Sequence, residues 1–181
     1  MADLLRKLKK ALSRPGDAYR YAMSLARGSL YRVLFAVLRK RVTCGKNFQV
    51  RGRLIIRGPG QVILGDNVYV NGIGDAVTPF TYDRDAVIVI GDYVVLNGTR
   101  MGCKKRIEVG SHSLLGDARI SDTDFHGIRP ESRFDPSAVL TSPVLIGENV
   151  WIGAGVFILK GVHIGDGSVV EIGRASCRER V

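Results

Sequence analysis

The sequence predicts an all-β fold, a parallel coil with three flat sides, from one short spacing and its larger multiples. Ile146, Ile152, Ile158, Ile164 and Val170 stand six residues apart, and Gly147, Gly153 and Gly165 follow three of them. The same beat occurs upstream at Cys44, Val50 and Ile56, at Leu64 and Val70, at Ile90 and Leu96, and at Val109 and Leu115. A fixed internal period of this kind decides architecture before any local propensity does. Marks six apart drift around an α-helix of about 3.6 residues per turn. Three short sides of that length instead close one triangular coil of eighteen residues.

The longer spacings are whole coils with small additions. Cys44 to Leu64 is 20 residues and Ile90 to Val109 is 19. Leu64 to Ile90 is 26, one coil plus a loop of eight, which places an insertion near 71–87. Val109 to Ile146 is 37, and the polar segment SDTDFHGIRPESRFDPSAVLTSP within it lacks the beat, so an excursion is expected near 122–143. The aliphatic marks should point inward and stack on their counterparts at about 4.8 Å. The small or polar residues after them, GEN, GAG and GDG, should supply the bends between sides. An ordinary β-sandwich also alternates, but five marks in strict register with their glycines argue against it.

N-terminal to the coil lies a basic helical arm, residues 1–41. Residues 17–41, DAYRYAMSLARGSLYRVLFAVLRKR, read as an amphipathic helix. Tyr19, Ala22, Met23, Ala26, Leu30, Val33, Leu34 and Val37 form its apolar side, with Arg20, Ser24, Arg27 and Tyr31 opposite. Asp17 is the expected N-cap, Arg39-Lys40-Arg41 suit the negative C-terminal end, and Gly28 weakens the middle. The helix is expected to lie over the first coil and shield its open edge. For residues 1–12, where Leu4, Leu5, Leu8 and Leu12 alternate with Arg6, Lys7, Lys9 and Lys10, contact with an anionic membrane surface is an open alternative.

The net charge of +10 is concentrated in that arm. Residues 1–53 hold 14 Lys/Arg and 2 Asp/Glu, whereas residues 54–170 hold 10 and 13. The coil is therefore mildly acidic, which argues against a nucleic-acid binder. Three cysteines provide no disulfide framework: Cys44 holds an inward position, Cys103 lies near a corner and Cys177 is in the tail. With no visible signal peptide, and Val33–Leu38 too short to cross a bilayer, a cytoplasmic protein is expected. The last eleven residues, EIGRASCRERV, resemble a translated frame of a sequencing-library adapter. Residues 171–181 are accordingly read as an artefact, with further native coil expected in their place.

Three phrases carry a family resemblance: the hexad [LIV]-G-x-x-x-x, Asn149-Val150-Trp151-Ile152-Gly153, and Ile120-Ser121-Asp122-Thr123-Asp124-Phe125-His126. Over about residues 42–170 they resemble the hexapeptide-repeat acyltransferases, in the branch of galactoside, maltose and polysaccharide O-acetyltransferases. The resemblance implies a left-handed parallel β-helix, a homotrimer, and acetyl-CoA in the groove between neighbouring coils, where one subunit's excursion completes the site.

Within that expectation His126 is the candidate general base. Transfer of acetyl from a thioester to a hydroxyl requires removal of the hydroxyl proton, and imidazole titrates near neutrality. Asp122 and Asp124 are both close enough in sequence to orient the ring, and the sequence does not choose between them. Asn97 resembles an asparagine that contacts the acceptor, with a turn residue as its plainer reading. Trp151 should point outward, to line the pantetheine groove or pack between subunits. Backbone N–H groups near Gly153 and Ala154 could hold an oxyanion, and Lys160 could meet a coenzyme phosphate. No metal is expected, because His112, His126 and His163 lack the spacing of a zinc site. The expected activity is O-acetylation of a sugar or polysaccharide precursor by direct transfer. An amino-sugar N-acetyltransferase and a non-catalytic scaffold are the alternatives.

Overall fold

The computed structural model describes residues 15–172. The expectations for residues 1–12, for Cys177 and for the tail from residue 173 lie outside the described residues. Every pairing between strands is parallel, as a coil demands and a sandwich does not. The first face stacks β1 (Val42–Cys44), β3 (Gln61–Leu64), β5 (Val87–Ile90), β8 (Arg106–Val109), β11 (Val144–Ile146) and β14 (His163–Ile164). The second stacks β2 (Gln49–Leu54), β4 (Tyr69–Thr81), β6 (Val95–Asn97), β9 (Leu114–Gly116), β12 (Trp151–Ile152) and β15 (Val169–Val170). The third contains the end of β4 with β7 (Arg100–Cys103), β10 (Arg119–Ser121) and β13 (Phe157–Ile158). The fold is a left-handed parallel β-helix.

The expected rungs align residue on residue. On the first face Cys44 pairs with Leu64, Leu64 with Ile90, Ile90 with Val109, Val109 with Ile146, and Ile146 with Ile164. On the second the column is Val50, Val70, Leu96, Leu115, Ile152 and Val170. The third begins with Pro79 in β4 and continues through Met101, Ile120 and Ile158. Side chains alternate along each strand, so one stack of aliphatic residues fills the interior while their neighbours face out.

The insertion near 71–87 is mostly strand rather than loop. β4 runs unbroken from Tyr69 to Thr81, turning from the second face onto the third, and only residues 82–86 leave it. The excursion of residues 122–143 does leave the coil, with two short 3-10 turns at Pro130–Ser132 and Pro136–Ala138.

The bends expected of GEN, GAG and GDG fall on their third residues, Asn149, Gly155 and Gly167, while the glycine directly after a mark has a second use at some corners. At the corner between the first and second faces, the left-handed backbone falls two residues later, at Asn47, Asn67, Tyr93, His112, Asn149 and Gly167, with φ between 52° and 68°. A Cβ on Gly45, Gly65 or Gly147 would instead overlap the carboxylate of Asp66, Asp92 or Asp166 one coil on. Those carboxylates accept hydrogen bonds at 2.7 Å from the backbone N–H of Lys46, Asp66 and Glu148. Glycine is required there for close approach between coils.

α1 (Pro15–Val37) lies on β2 and β1, over the first coil as expected. Three details differ from expectation. The helix starts at Pro15, so Asp17 sits in its first turn rather than at the cap, and it ends before Arg39-Lys40-Arg41. The buried side is also inverted. Ser24, Gly28 and Phe35 are buried, while Tyr19, Met23, Leu30, Val33, Leu34 and Val37 face solvent. Ser24 Oγ donates to Gln49 Oε1 at 3.2 Å, Arg27 donates to the Gly52 carbonyl at 2.7 Å, and the Leu54 N–H donates to the Tyr31 hydroxyl. Gly28 decides the orientation, because any Cβ there would overlap the backbone carbonyl of Phe48.

That contact yields a prediction whose sign is informative. In a free helix Gly28→Ala stabilises by about 1 kcal/mol. Here it lifts the helix off the coil, and overpacking of this kind costs about 1–3 kcal/mol. Thermal unfolding should therefore show a less stable alanine variant. A variant as stable as the parent would mean that the helix does not dock through Gly28.

Candidate active site

The excursion leaves the coil where the third face turns back to the first, and its root is built by Asp122. Ile120 points inward, so Asp122, two residues on, also points inward and is fully buried. Its Oδ1 accepts the Lys104 N–H at 2.7 Å, and its Oδ2 accepts those of Lys105 at 2.6 Å and Arg106 at 2.7 Å. Both oxygens thus accept from the preceding coil, and Asp122 makes no bond to His126 in this structure. The loop is closed above it by the Asp124 N–H to the Leu140 carbonyl and the Ser142 N–H to the Asp122 carbonyl.

Cys103 shares this pocket of polar atoms, and its thiol lies 3.5 Å from Asp122 Oδ2 and 3.4 Å from the Val87 carbonyl. Burial first, and then the Asp122 charge, push that thiol up to about 12, while burial pushes Cys44 up to about 11 against the lowering effect of Arg32. Neither is a nucleophile near neutral pH. Since the folded chain holds these thiols protonated, their contribution to stability is whole below the usual thiol value of 9.0. It falls as pH rises through about 11 and then about 12. Iodoacetamide at pH 8 should leave Cys103 unmodified in the native protein and modify it in urea, read by peptide mass. Alkylation of native Cys103 at an equal rate would contradict this geometry.

Asp124 takes a different partner. Its Oδ1 forms an ion pair with Lys160 Nζ at 2.8 Å, and its Oδ2 is buried without a hydrogen-bond partner. Lys160, expected near a coenzyme phosphate, thus ties the turn after β13 to the excursion. His126 itself is exposed and follows Phe125, a non-glycine residue at φ 65°. Neither Asp122 nor Asp124 bonds its ring in this structure.

Around His126 the structure shows a cavity of about 410 Å³ lined by Tyr82, Lys104, Thr123, Phe125, Arg133 and Phe134, among others. The His126 ring meets the Phe134 ring edge-on at 6.4 Å, and Phe125 meets Tyr82 at 5.1 Å. Burial, with the Asp122 charge behind it, raises the Tyr82 hydroxyl, keeping it a neutral donor. Sequence reasoning missed these aromatic walls. Phe125 belongs to the His126 phrase, but Tyr82 and Phe134 come from the two insertions, and no local pattern joins them.

The other candidates lie on the opposite side of the third face. Asn97 ends β6, where its Oδ1 accepts from Asn71 Nδ2 at 3.2 Å and the next residue, Gly98, turns at φ 63°. Asn97 pairs with Gly116, and Gly116 lies against Gly153 and Ala154. Trp151, 47% exposed, stands outward beside them on the second face as expected. A strand of four residues, roughly 13 Å, separates this group from the His126 side within one chain. His112 stacks on Tyr93 and His163 faces out from the first face. Among the described residues no three His, Cys, Asp or Glu side chains cluster as metal ligands.

Comparison with known proteins agrees with this architecture. Residues 143–171 match the family profile described as bacterial transferase hexapeptide (six repeats). The chain is 43% identical over 67 residues to a galactoside O-acetyltransferase of Lactococcus lactis, covering 37% of this chain and 32% of that protein. It is 30% identical over 126 residues to the protein named "Putative colanic acid biosynthesis acetyltransferase WcaF" of Escherichia coli K12, covering 70% of this chain and 53% of that one. The chain thus spans from about a third to about half of the length of these relatives. No solved structure gives a significant match. The stacked coil, the six-residue beat and the match over residues 143–171 identify the chain as a hexapeptide-repeat protein, similar to a galactoside O-acetyltransferase and to a putative colanic acid biosynthesis acetyltransferase.

Proposed function

We propose that the protein transfers acetyl from acetyl-CoA to a hydroxyl of a sugar or polysaccharide precursor, with His126 as general base. The observation that carries this reading is the His126 imidazole at an aromatic-lined cavity, on a loop anchored by the buried carboxylate of Asp122. As the acceptor oxygen bonds to the thioester carbonyl carbon, its proton passes to the ring nitrogen. The C–S bond then breaks, and the same proton leaves with the thiolate as free CoA. No acyl-enzyme is needed, which suits a site whose buried cysteine is held protonated.

Of the two aspartates we assign Asp124 to orient His126, through its second oxygen and with Lys160 holding the first, because Asp122 accepts three backbone N–H groups of the preceding coil. Apolar rings beside polar groups suit a sugar, which stacks its C–H face and donates its hydroxyls. Asn97 would contact the acceptor, Trp151 would line the pantetheine groove, and the Gly153 and Ala154 N–H groups would face the oxyanion. These four residues sit across the third face from His126, so one chain cannot bring them together. A homotrimer, in which a neighbour's corner meets the excursion loop, would do so and would place the coenzyme between coils. The basic arm and the glycan acceptor together fit a cytoplasmic enzyme working at the inner membrane surface.

The test is release of CoA thiol from acetyl-CoA against a panel of sugars, glycan precursors and amino sugars, with product mass and sedimentation. Acceptor-dependent thiol release by a trimer, with an alkali-labile acetyl ester as product, is the expected result. An alkali-stable amide would reassign the protein to amine acetylation. No release with any acceptor from trimeric, CoA-binding protein would leave a scaffold.

A further inference from the structure

The outward face of α1 has no partner among the described residues, although it is the more apolar face of the helix. Tyr19, Met23, Leu30, Val33, Leu34 and Val37 lie within about a third of the circumference at 100° per residue, opposite Ser24, Gly28 and Phe35. Leu30 is 65% exposed, Val33 60% and Val37 71%. From Tyr19 to Val37 the stripe is roughly 27 Å long. Scattered exposed leucines are ordinary, but a continuous stripe of this length marks a contact surface.

We propose that this face lies on an anionic lipid bilayer, with its apolar side chains in the headgroup–acyl boundary. Charge selects this occupant over a second copy of the chain. Asp17 is the only acidic residue of α1, and residues 1–53 carry 14 Lys/Arg against 2 Asp/Glu. Two such arms facing each other would repel, whereas an anionic surface attracts them. Arg20 and Arg27 border the stripe, Arg39 and Arg41 lie exposed just past its end, and Arg51 and Arg53 are exposed on β2 beneath the helix. Asp17 partly offsets Arg20 at 3.6 Å, and Arg27 keeps further donors beyond its bond to Gly52. No described helix is long and apolar enough to cross a membrane, so the stripe lies along the surface. The inverted docking explains how one helix performs two tasks. Gly28 and Ser24 give the coil a close contact with little apolar area, which frees the larger apolar side for lipid.

Flotation of the full chain with vesicles decides it. The protein should float with phosphatidylcholine containing phosphatidylglycerol, sink with phosphatidylcholine alone, and dissociate at high salt. Replacing Leu30→Ser, Val33→Ser and Val37→Ser together should lower the bound fraction roughly tenfold or more, with melting and acetylation of a soluble acceptor unchanged. A Val33→Cys variant labelled with an environment-sensitive dye should shift to the blue on anionic vesicles only. The proposal fails if the triple variant floats like the parent, since binding would then reside outside this face. It also fails if the parent never floats, or if the triple variant loses oligomeric mass, because the stripe would then be covered by another copy.

Discussion

Replacing His126 by alanine should lower turnover by roughly 10²–10⁴ while leaving the melting temperature within error of the parent. The two halves of that expectation come from one fact of placement. The imidazole stands exposed at the cavity, touching Phe134 edge-on, and it makes no hydrogen bond that the fold depends on. Truncating it therefore removes no buried donor and opens no cavity in the core. What it removes is the one imidazole among the described residues that line the cavity, the group placed to take the acceptor's proton. The loss should appear in kcat with little change in KM, because a group acting on a proton in flight contributes to the transition state and not to ground-state binding. His126→Asn should behave like alanine, as an amide of similar shape cannot take the proton. Measured kcat and KM for the two variants, beside their melting curves, give the answer. Turnover near the parental rate in a folded variant would remove His126 from the mechanism. Asp124→Asn should give a smaller kinetic loss, with the Lys160 pair weakened.

The stacking order of this molecule could be read from spacing because a coil makes the interior periodic. The offsets of 20, 26, 19 and 37 between Cys44, Leu64, Ile90, Val109 and Ile146 are the observed rung pairs. Spacing is blind to approach distance, and this is where the expectations failed. Hydrophobicity names an apolar side of α1 but not the side that docks, and helix and coil backbones meet too closely for anything beyond glycine at position 28. A glycine in mid-helix was the available signal. The same reason governs Gly45, Gly65 and Gly147, where the next coil's aspartate needs the space. At the site, Asp122 and Asp124 look equivalent in a list of neighbours, yet strand alternation continued from Ile120 sends the first inward. The cavity walls were illegible for a different reason. Tyr82 and Phe134 are brought to His126 by insertions whose paths no period describes.

Asp122→Ala should be the most destabilising single change near the site, although it removes no group that faces the cavity. The carboxylate is fully buried and receives three backbone N–H groups in succession, from Lys104, Lys105 and Arg106, with the Cys103 thiol beside them. Alanine leaves those three donors without the acceptor they share on the inner side of the corner. Each unpaired buried donor costs about 1–3 kcal/mol, so the sum is about 4 kcal/mol or more if the corner cannot relax. For a domain of this size that corresponds to a fall in melting temperature of roughly 10 °C or more. Asn should rescue little, since its amide offers one accepting oxygen and turns two further donors toward the same N–H groups. Asp124→Ala is the control, because it breaks one partly exposed ion pair with Lys160 and should cost only about 1 kcal/mol. Both variants should lose activity, but for different reasons: the first because the root of the His126 loop comes undone, the second with the coil intact. Melting curves of the pair separate them. An Asp122→Ala protein that melts with the parent would show that the three N–H groups find water, and that this carboxylate does not hold the corner on which the loop stands.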